Sequence, residues 1–258
     1  MLIILPPSET KRPAPDDGPS LDLEGLSFGD LAPVRSRVLD ALIETSREPD
    51  ALRRLIVPPS RGDEVARNEL IRALPTRRTV DTYAGPLYAG LDPASWSPHA
   101  LRRAEDRVVI VSALWGALRP ADRIPPYRLH VCARLVGMDR LEPTWRSVLV
   151  PRLTEAAERR GPILDLRSPT YQAVGRPHGL DDQMVTLRVR AAPGGPARIG
   201  DVVAKRTRGE AARHLLESPS EPREPLEIAD VLATAWPIEV DAPAGRNRGW
   251  TITLVAAA

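Results

Sequence analysis

The fold is decided by residues 108–130, whose sequence is VVIVSALWGALRPADRIPPYRLH. The first four residues are all apolar and β-branched, which indicates a buried strand rather than an amphipathic helix. Gly116 then allows an unusual backbone turn, and the three prolines that follow exclude a regular helix or a central strand. The stretch therefore predicts a buried strand that ends in a long irregular loop.

The loop carries five side chains suited to contacting a ligand, which are Arg119, Asp122, Arg123, Tyr127 and Arg128. In open α/β sheets, ligands bind at the carboxyl ends of the strands, where this loop is expected to lie. The alternative is a proline-stiffened surface loop with solvated arginines, because both residue types are common throughout this chain. Residues 112–130 are therefore a candidate site with a structural alternative.

The composition is that of a globular chain of 258 residues, of which 42% are hydrophobic and 27% charged. No stretch approaches the roughly 20 consecutive apolar residues that span a bilayer, and residues 2–5 lack the flanks of a signal peptide. Cys132 is the only cysteine, which excludes an internal disulfide and fits a reducing compartment. We predict one cytoplasmic domain over residues 1–258, without membrane contact, metal or cofactor.

Charge is balanced, but the two kinds of basic residue are used very unequally. The net charge of +2 argues against a chain that coats nucleic acid, so such binding needs a local patch. Lys11 and Lys205 are the only lysines among 36 basic residues. An ammonium group is compact and has a tunable pKa, which a guanidinium group does not offer. The two lysines are functional candidates, although a coding bias toward arginine explains them equally well.

Three further apolar stretches each end in a polar loop: residues 2–5 precede 8–11, residues 163–166 precede 167–171, and residues 199–204 precede 205–208. If the four strands are parallel neighbours, their loops meet at one edge of the sheet. The pattern predicts an α/β (mixed α+β) fold, with a central mixed sheet flanked by helices.

Apolar periodicity predicts the remaining elements. Helices are expected at 33–46, 49–56, 65–74, 144–160, 210–217 and 222–233, with strands at 184–190 and 250–255 and a turn at Gly194-Gly195. Residues 57–64 fit either a helix-hairpin-helix element that grips phosphates or, preferably, an ordinary helical corner. Tyr83 and Tyr88 fit either base stacking or, preferably, core packing.

The converging loops predict a cationic cleft with tyrosines, a surface suited to phosphates and bases. The candidate nucleic-acid or phosphate-binding residues are Lys11, Arg119, Tyr127, Arg128, Arg167, Ser168, Tyr171, Lys205, Arg206 and Arg208. The candidate catalytic residues are Lys205, Asp122 and Glu9, since a lysine–carboxylate pair can perform acid–base chemistry. A salt-bridged rim without a ligand is the alternative. Standard glycine-rich phosphate loops and hydrolase signatures are missing, so the sequence leaves catalysis open.

Two segments carry a resemblance to a known family. Residues 112–122, SALWGALRPAD, and 126–129, PYRL, match the S-x-L-Y/W-G-x-L-R-P-x-D and P-Y-R-L patterns of the YaaA family. Supporting matches are LYAGL at 87–91, DLRS at 165–168 with Tyr171, and AKRTRG at 204–209. The family's S-P-A-K-T stands here as PPSET with Lys11 displaced past it, and His130 replaces a glutamate of many members. The chain thus resembles this family of bacterial cytoplasmic peroxide-stress proteins over essentially its whole length.

The resemblance implies a compact α/β body with a basic cleft and a helix-hairpin-helix element. It also implies DNA binding that limits oxidative damage, together with lower intracellular free iron. Two functions stay open at this point. One is a stress protein that binds DNA through the cleft, and the other is an enzyme that acts on a nucleotide or nucleobase-like molecule, such as a glycosidic-bond hydrolase or group transferase. A small closed pocket containing Lys205 and a carboxylate favours the second, whereas an open groove favours the first.

Overall fold

Apolar strands form the centre of the molecule. The computed structural model describes residues 1–192, 199–245 and 248–256. The strands in this part of the chain are β1 (Leu2–Leu5), β2 (Arg77–Arg78), β3 (Val108–Ser112), β4 (Gly116–Leu118), β5 (Arg123–Ile124), β6 (Ile163–Asp165), β7 (Met184–Ala191), β8 (Ile238–Asp241) and β9 (Trp250–Ala256). All except β2 and β5 share one sheet, and those two pair with each other.

The sheet has the order β4-β3-β1-β6-β7-β9-β8, and all of its strands except those at the two edges are parallel. The edge strands β4 and β8 run antiparallel to their neighbours. Strand β1 lies between β3 and β6 and is buried along its whole length, which its unbroken apolar sequence permits. The carboxyl ends of β3, β1 and β6 therefore lie side by side. This is the mixed sheet that the sequence predicts.

Helices connect and cover the strands. In the described residues they are α1 (Ala32–Arg47), α2 (Ala51–Leu55), α3 (Gly62–Asn68), α4 (Thr79–Thr82), α5 (Pro86–Leu91), α6 (Pro98–Arg107), α7 (Leu141–Glu158), α8 (Pro169–Gln172), α9 (Asp201–Glu217) and α10 (Pro225–Ala233). Helices α6, α7 and α9 contact β3, β4 and β7, respectively. The long helices predicted at 33–46, 144–160 and 222–233 are confirmed within a few residues at each end.

Several local predictions differ from the structure, and one cannot be compared. The helix predicted at 65–74 is α3, which ends at Asn68. Residues 201–204 form the first turn of α9 instead of a strand. Val202 and Val203 suggested the strand, but they are 64% and 48% exposed, and the helix packs through the small residues of its later turns. A helix-hairpin-helix element is not shown, because Pro59–Arg61 forms a 3-10 turn between the short helices α2 and α3. The predicted turn at Gly194-Gly195 lies outside the described residues.

Glycines allow α5 and α9 to approach closely. A Cβ atom on Gly209 would overlap the carbonyl oxygen of Leu87, and one on Gly90 would overlap the carbonyl oxygen of Arg206. Both glycines therefore mark a backbone contact that a larger residue cannot make. The contact fixes the position of α9 relative to α5, and both helices contribute side chains to the cavity described below.

Ser112 anchors the turn that follows β3. Its buried Oγ accepts hydrogen bonds from the backbone N–H groups of Leu114 and Trp115, at 3.1 and 3.2 Å. Because these donors occupy its acceptor positions, the hydroxyl proton is available to Tyr127, whose OH lies 2.7 Å away. The same tyrosine OH lies 2.9 Å from the OH of Tyr83. The turn and two buried tyrosines are thus held by one chain of hydroxyl groups.

Replacing Ser112 with alanine is expected to destabilise the fold by about 1–3 kcal/mol, because two buried N–H donors lose their acceptor. Urea unfolding followed by circular dichroism measures this loss. Ser147→Ala is the matched control, since Ser147 is exposed on α7 and bonds only the carbonyl of Thr144. Equal stability of the two variants would contradict this role for Ser112.

Candidate functional site

A cavity of about 400 Å³ lies at the carboxyl edge of the sheet. It is lined by residues 6–11 after β1, residues 129–130, Leu166, Ser168 and Tyr171 after β6, residues 85–88, and Lys205 and Arg208 of α9. The volume falls in the range of small-molecule sites, about 300–1,000 Å³. Loops that the sequence predicts to converge therefore do so around a ligand-sized space.

Backbone pairing fixes Lys11 at this cavity. Lys11 forms an antiparallel bridge with Tyr83, and the flanking Arg12 donates its backbone N–H to the carbonyl of Thr82 at 2.8 Å. The Lys11 Nζ donates to the carbonyl oxygens of Ser8, at 2.8 Å, and Glu9, at 3.2 Å. It also lies 4.1 Å from the ring centroid of Tyr127. The amine is therefore held by main-chain acceptors and an aromatic face.

The charge of Lys11 is poorly stabilised. Burial is the main cause that lowers the pKa of Lys11 from 10.5 to about 7, and the nearby Arg128 guanidinium lowers it further. Glu64 and Glu9 act in the opposite direction but only partly offset these effects. The Glu9 carboxylate is already bound by Arg128, whose Nη2 lies 2.9 Å from Oε2. A substantial fraction of Lys11 is therefore a neutral amine at neutral pH.

Helix α9 forms another wall of the cavity. Lys205 and Arg208 both line the cavity, and Lys205 forms an ion pair with Asp201 at 2.6 Å. Burial lowers the pKa of Arg208, whose Nε donates to the carbonyl of Leu187 at 3.2 Å. Arg206 points elsewhere: it is 64% exposed, pairs with Glu210 at 3.0 Å and is not part of the lining. Two of the three predicted α9 cations thus reach the cavity.

A buried ion pair holds the loop that follows β6. Arg167 and Asp165 have fully inaccessible side chains and contact each other at 2.7 Å. Arg167 also donates to the carbonyl oxygens of Tyr171, at 3.2 Å, and Gly175, at 2.7 Å. Its guanidinium is therefore committed to structure, whereas Ser168 and Tyr171 of the same loop line the cavity.

Arg119 and Asp122 lie at the opposite edge of the sheet. Strand β4 runs back along β3, so Arg119 donates to the carbonyl oxygens of Asp106 and Val108, both at 3.0 Å, near the amino end of β3. Asp122 accepts hydrogen bonds there from the backbone N–H groups of Ser27 and Arg119, at 2.9 and 2.7 Å. The structure thus separates both residues from the cavity, because residues 116–118 pair with β3 in a hairpin. The prolines indicate an irregular loop in the sequence, so this hairpin was not predicted.

Tyr127 and Arg128 lie behind Lys11 and are buried. Burial raises the pKa of Tyr127 to about 12, so its hydroxyl stays protonated. Asn68 holds the Arg128 backbone from both sides, accepting from its N–H at 2.8 Å and donating to its carbonyl at 2.9 Å. These two residues shape the surroundings of Lys11. Tyr83 and Tyr88 are also buried, which confirms the prediction of core packing.

Several lining residues were not among the sequence-based candidates. Ser8, Thr10, Tyr88 and His130 all line the cavity, and the Tyr88 hydroxyl donates to the carbonyl of Pro6 at 2.8 Å. The backbone N–H of Cys132 donates to His130 Nδ1 at 3.1 Å, which places the proton of the neutral ring on Nε2. Ser8 and Thr10 precede Lys11 in a turn whose polar character the sequence shows, and Tyr88 was expected to stack on a base or, preferably, to pack in the core.

Fold and site define this chain as an α/β protein with a ligand-sized cavity where parallel strands end. A sequence model of the family described as "Peroxide stress protein YaaA" matches residues 1–234. The chain belongs to this YaaA peroxide stress protein family. It is 35% identical to a UPF0246 protein of Streptomyces coelicolor, with 99% of this chain and 98% of the relative covered. It is 38% identical to a UPF0246 protein of Corynebacterium efficiens, with 99% and 100% covered.

In the residues that the structure describes, no helix is long and apolar enough to cross a membrane. Within the same residues, no group of three or more histidine, cysteine, aspartate or glutamate side chains is arranged to hold a metal ion.

Proposed function

We propose that this peroxide stress family member binds an anionic small molecule of nucleotide-like size in the cavity at the carboxyl edge of its sheet. One observation carries the proposal: both lysines of a chain rich in arginine line the same cavity, together with Arg208. Lys205 and Arg208 bring two basic side chains, and Lys11 adds an amine, to a space of about 400 Å³, a set that suits a phosphate or carboxylate group. The ligand class is therefore a small phosphorylated or carboxylated molecule.

The rest of the lining suits the remainder of such a ligand. Ser8, Thr10 and Ser168 offer hydroxyl groups that donate to or accept from sugar-like hydroxyls. Tyr88, Tyr171 and Leu87 offer apolar surface against which a base or carbon chain packs. A few polar groups on a partly apolar wall are the usual composition of a selective small-molecule site. Glu9 and Lys205, both in the lining, remain the catalytic candidates if the bound molecule reacts.

DNA binding is the second candidate function, favoured by the exposure of Lys205 and Arg206, at 48% and 64%, on one turn of α9. A DNA surface would use both cations alike, since each neutralises a phosphate. Against this candidate, Arg119 donates to backbone carbonyls at the opposite edge of the sheet, and Arg167 is buried in an ion pair. Cavity binding is therefore the better supported function.

Lys205→Ala and Arg206→Ala separate the two candidates, because the residues are neighbours and each pairs with a carboxylate four positions away. Calorimetric titration with adenosine monophosphate and inorganic phosphate is expected to show about tenfold weaker binding for Lys205→Ala. Arg206→Ala is expected to change it by less than about twofold. Equal losses of affinity for a DNA duplex in both variants, falling with salt, would instead support DNA binding.

A further inference from the structure

Lys11 is placed for chemistry rather than for anchoring a charge. Lys205 and Arg208 already provide cations on the α9 wall, whereas Lys11 lies with residues 6–10 on the β1 wall. Its Nζ contacts carbonyl oxygens of Ser8 and Glu9 instead of a carboxylate, because Arg128 binds the Glu9 carboxylate. Two carbonyl acceptors match the two N–H groups of a neutral amine, in which the remaining position on nitrogen is a lone pair.

We propose that Lys11 is a nucleophile that condenses with the carbonyl carbon of a phosphorylated aldehyde or ketone bound in this cavity. The inference rests on the proposed function, since Lys205 and Arg208 hold the phosphate while Lys11 meets the carbonyl group. Desolvation beside a second cation is a general way to activate an amine for imine formation. Lys11 has both features, because it is partly buried and the Arg128 guanidinium is close enough to lower its pKa.

The reaction is balanced without an oxidant, a reductant or a metal. The Nζ lone pair attacks the carbonyl carbon, the C=O π electrons move to oxygen, and a proton passes from nitrogen to that oxygen to give a carbinolamine. Nitrogen then expels the hydroxyl group as water, which takes up a proton, and the C=N bond forms. Solvent supplies the proton that water formation requires, and the product is the protonated imine; the Nε2–H of His130, which lines the cavity, can hydrogen-bond to an oxygen there.

The scarcity of lysine makes the test unusually direct. The chain offers Lys11, Lys205 and the α-amino group as its only amines. Glyceraldehyde 3-phosphate is incubated with the full chain, sodium borohydride reduces any imine to a stable secondary amine, and peptide mass spectrometry locates the adduct. Lys205 forms an ion pair with Asp201 at 2.6 Å, which engages its amine. Lys11 is expected to be labelled about tenfold or more faster than Lys205.

Three comparisons sharpen the result. Glyceraldehyde, which lacks the phosphate, is expected to label Lys11 more slowly by about tenfold, and so is the Lys205→Ala variant with the phosphorylated probe. Arg206→Ala is expected to behave as the unmodified chain, since Arg206 lies outside the lining. Lys11→Arg keeps the positive charge and is expected to lose the adduct, with circular dichroism confirming that it is folded.

Glycerol 3-phosphate distinguishes failure of this inference from failure of the proposed function, because it has the phosphate but no carbonyl group. If it binds by calorimetry while the aldehyde gives no Lys11 adduct, the nucleophilic role is overturned and the anion site stands. If neither molecule binds, both are overturned. Equal labelling of Lys11 and Lys205 also contradicts the inference, because it indicates unselective amine chemistry.

Discussion

Replacing Lys11 with methionine is expected to stabilise the folded chain while it abolishes the adduct. Methionine has a similar length and volume but carries no charge, so it removes the ammonium without opening a cavity. The native environment lowers the pKa of Lys11 to about 7, chiefly by burial, which means that folding disfavours the charged form. Proteins commonly retain a group that lowers the free energy of unfolding where activity requires that group.

The pH dependence of this gain follows from proton linkage. Below pH 7 the lysine is protonated in both states, so the native state bears the full cost of the buried charge. Between about 7 and 10.5 the unfolded chain binds a proton that the native chain does not, so stability of the unmodified chain rises with pH. Lys11→Met should therefore gain about 1–3 kcal/mol below pH 7, and this advantage should vanish near pH 10.

Thermal unfolding of the two proteins at pH 6 and pH 9.5 measures the difference. Taking the difference at each pH cancels contributions of other titrating groups, provided that the substitution leaves them unchanged. Lys205→Met is the matched control, since it removes an exposed lysine with an ion-pair partner and should change stability by less than about 0.5 kcal/mol. If the Lys11→Met variant is less stable than the unmodified chain at pH 6, the native environment does not destabilise the Lys11 ammonium, and this prediction is contradicted.

The cavity illustrates what local sequence can predict. Polar residues after an apolar strand lie where that strand ends, so the loops at 8–11 and 168–171 were expected to meet once β1 and β6 were parallel neighbours. Lys205 and Arg208 were also predicted to lie at this site, but in a loop after a strand at 199–204, whereas they belong to helix α9. They reach the cavity from a helix whose glycine contact with α5 is a tertiary feature, and no periodicity in the chain encodes that approach.

The loop at 112–130 shows why the remaining predictions differed from the structure. Three prolines exclude a regular strand over most of the loop, but residues 116–118 precede them and pair with β3 at the sheet edge. That short hairpin carries Arg119 to the far end of β3, whereas His130, twelve residues after the hairpin ends, returns to the cavity. A charged residue's place in a loop therefore says little about its direction unless the strand pairing is known.

Replacing Arg167 with methionine is expected to destabilise the fold strongly while it leaves the lining residues themselves intact. The guanidinium is fully buried and donates to Asp165 through Nε, at 2.9 Å, and Nη2, at 2.7 Å. Removing one partner of a buried ion pair strands the other charge and typically costs about 3–5 kcal/mol. The carbonyl oxygens of Tyr171 and Gly175 lose their donor as well. The loop that presents Ser168 and Tyr171 is therefore expected to loosen.

A double substitution identifies the stranded charge as the cause. Asp165→Asn with Arg167→Met removes both charges, and the asparagine oxygen can still accept from the backbone N–H of residue 167, as Asp165 Oδ1 does at 3.1 Å. The double variant should therefore lose less stability than Arg167→Met alone, by about 1–2 kcal/mol in urea unfolding. Arg206→Met is the exposed control, with an expected change below about 0.5 kcal/mol. If the double variant is as unstable as the single one, lost packing and carbonyl contacts explain the cost, and the ion pair contributes little to holding the wall of the cavity.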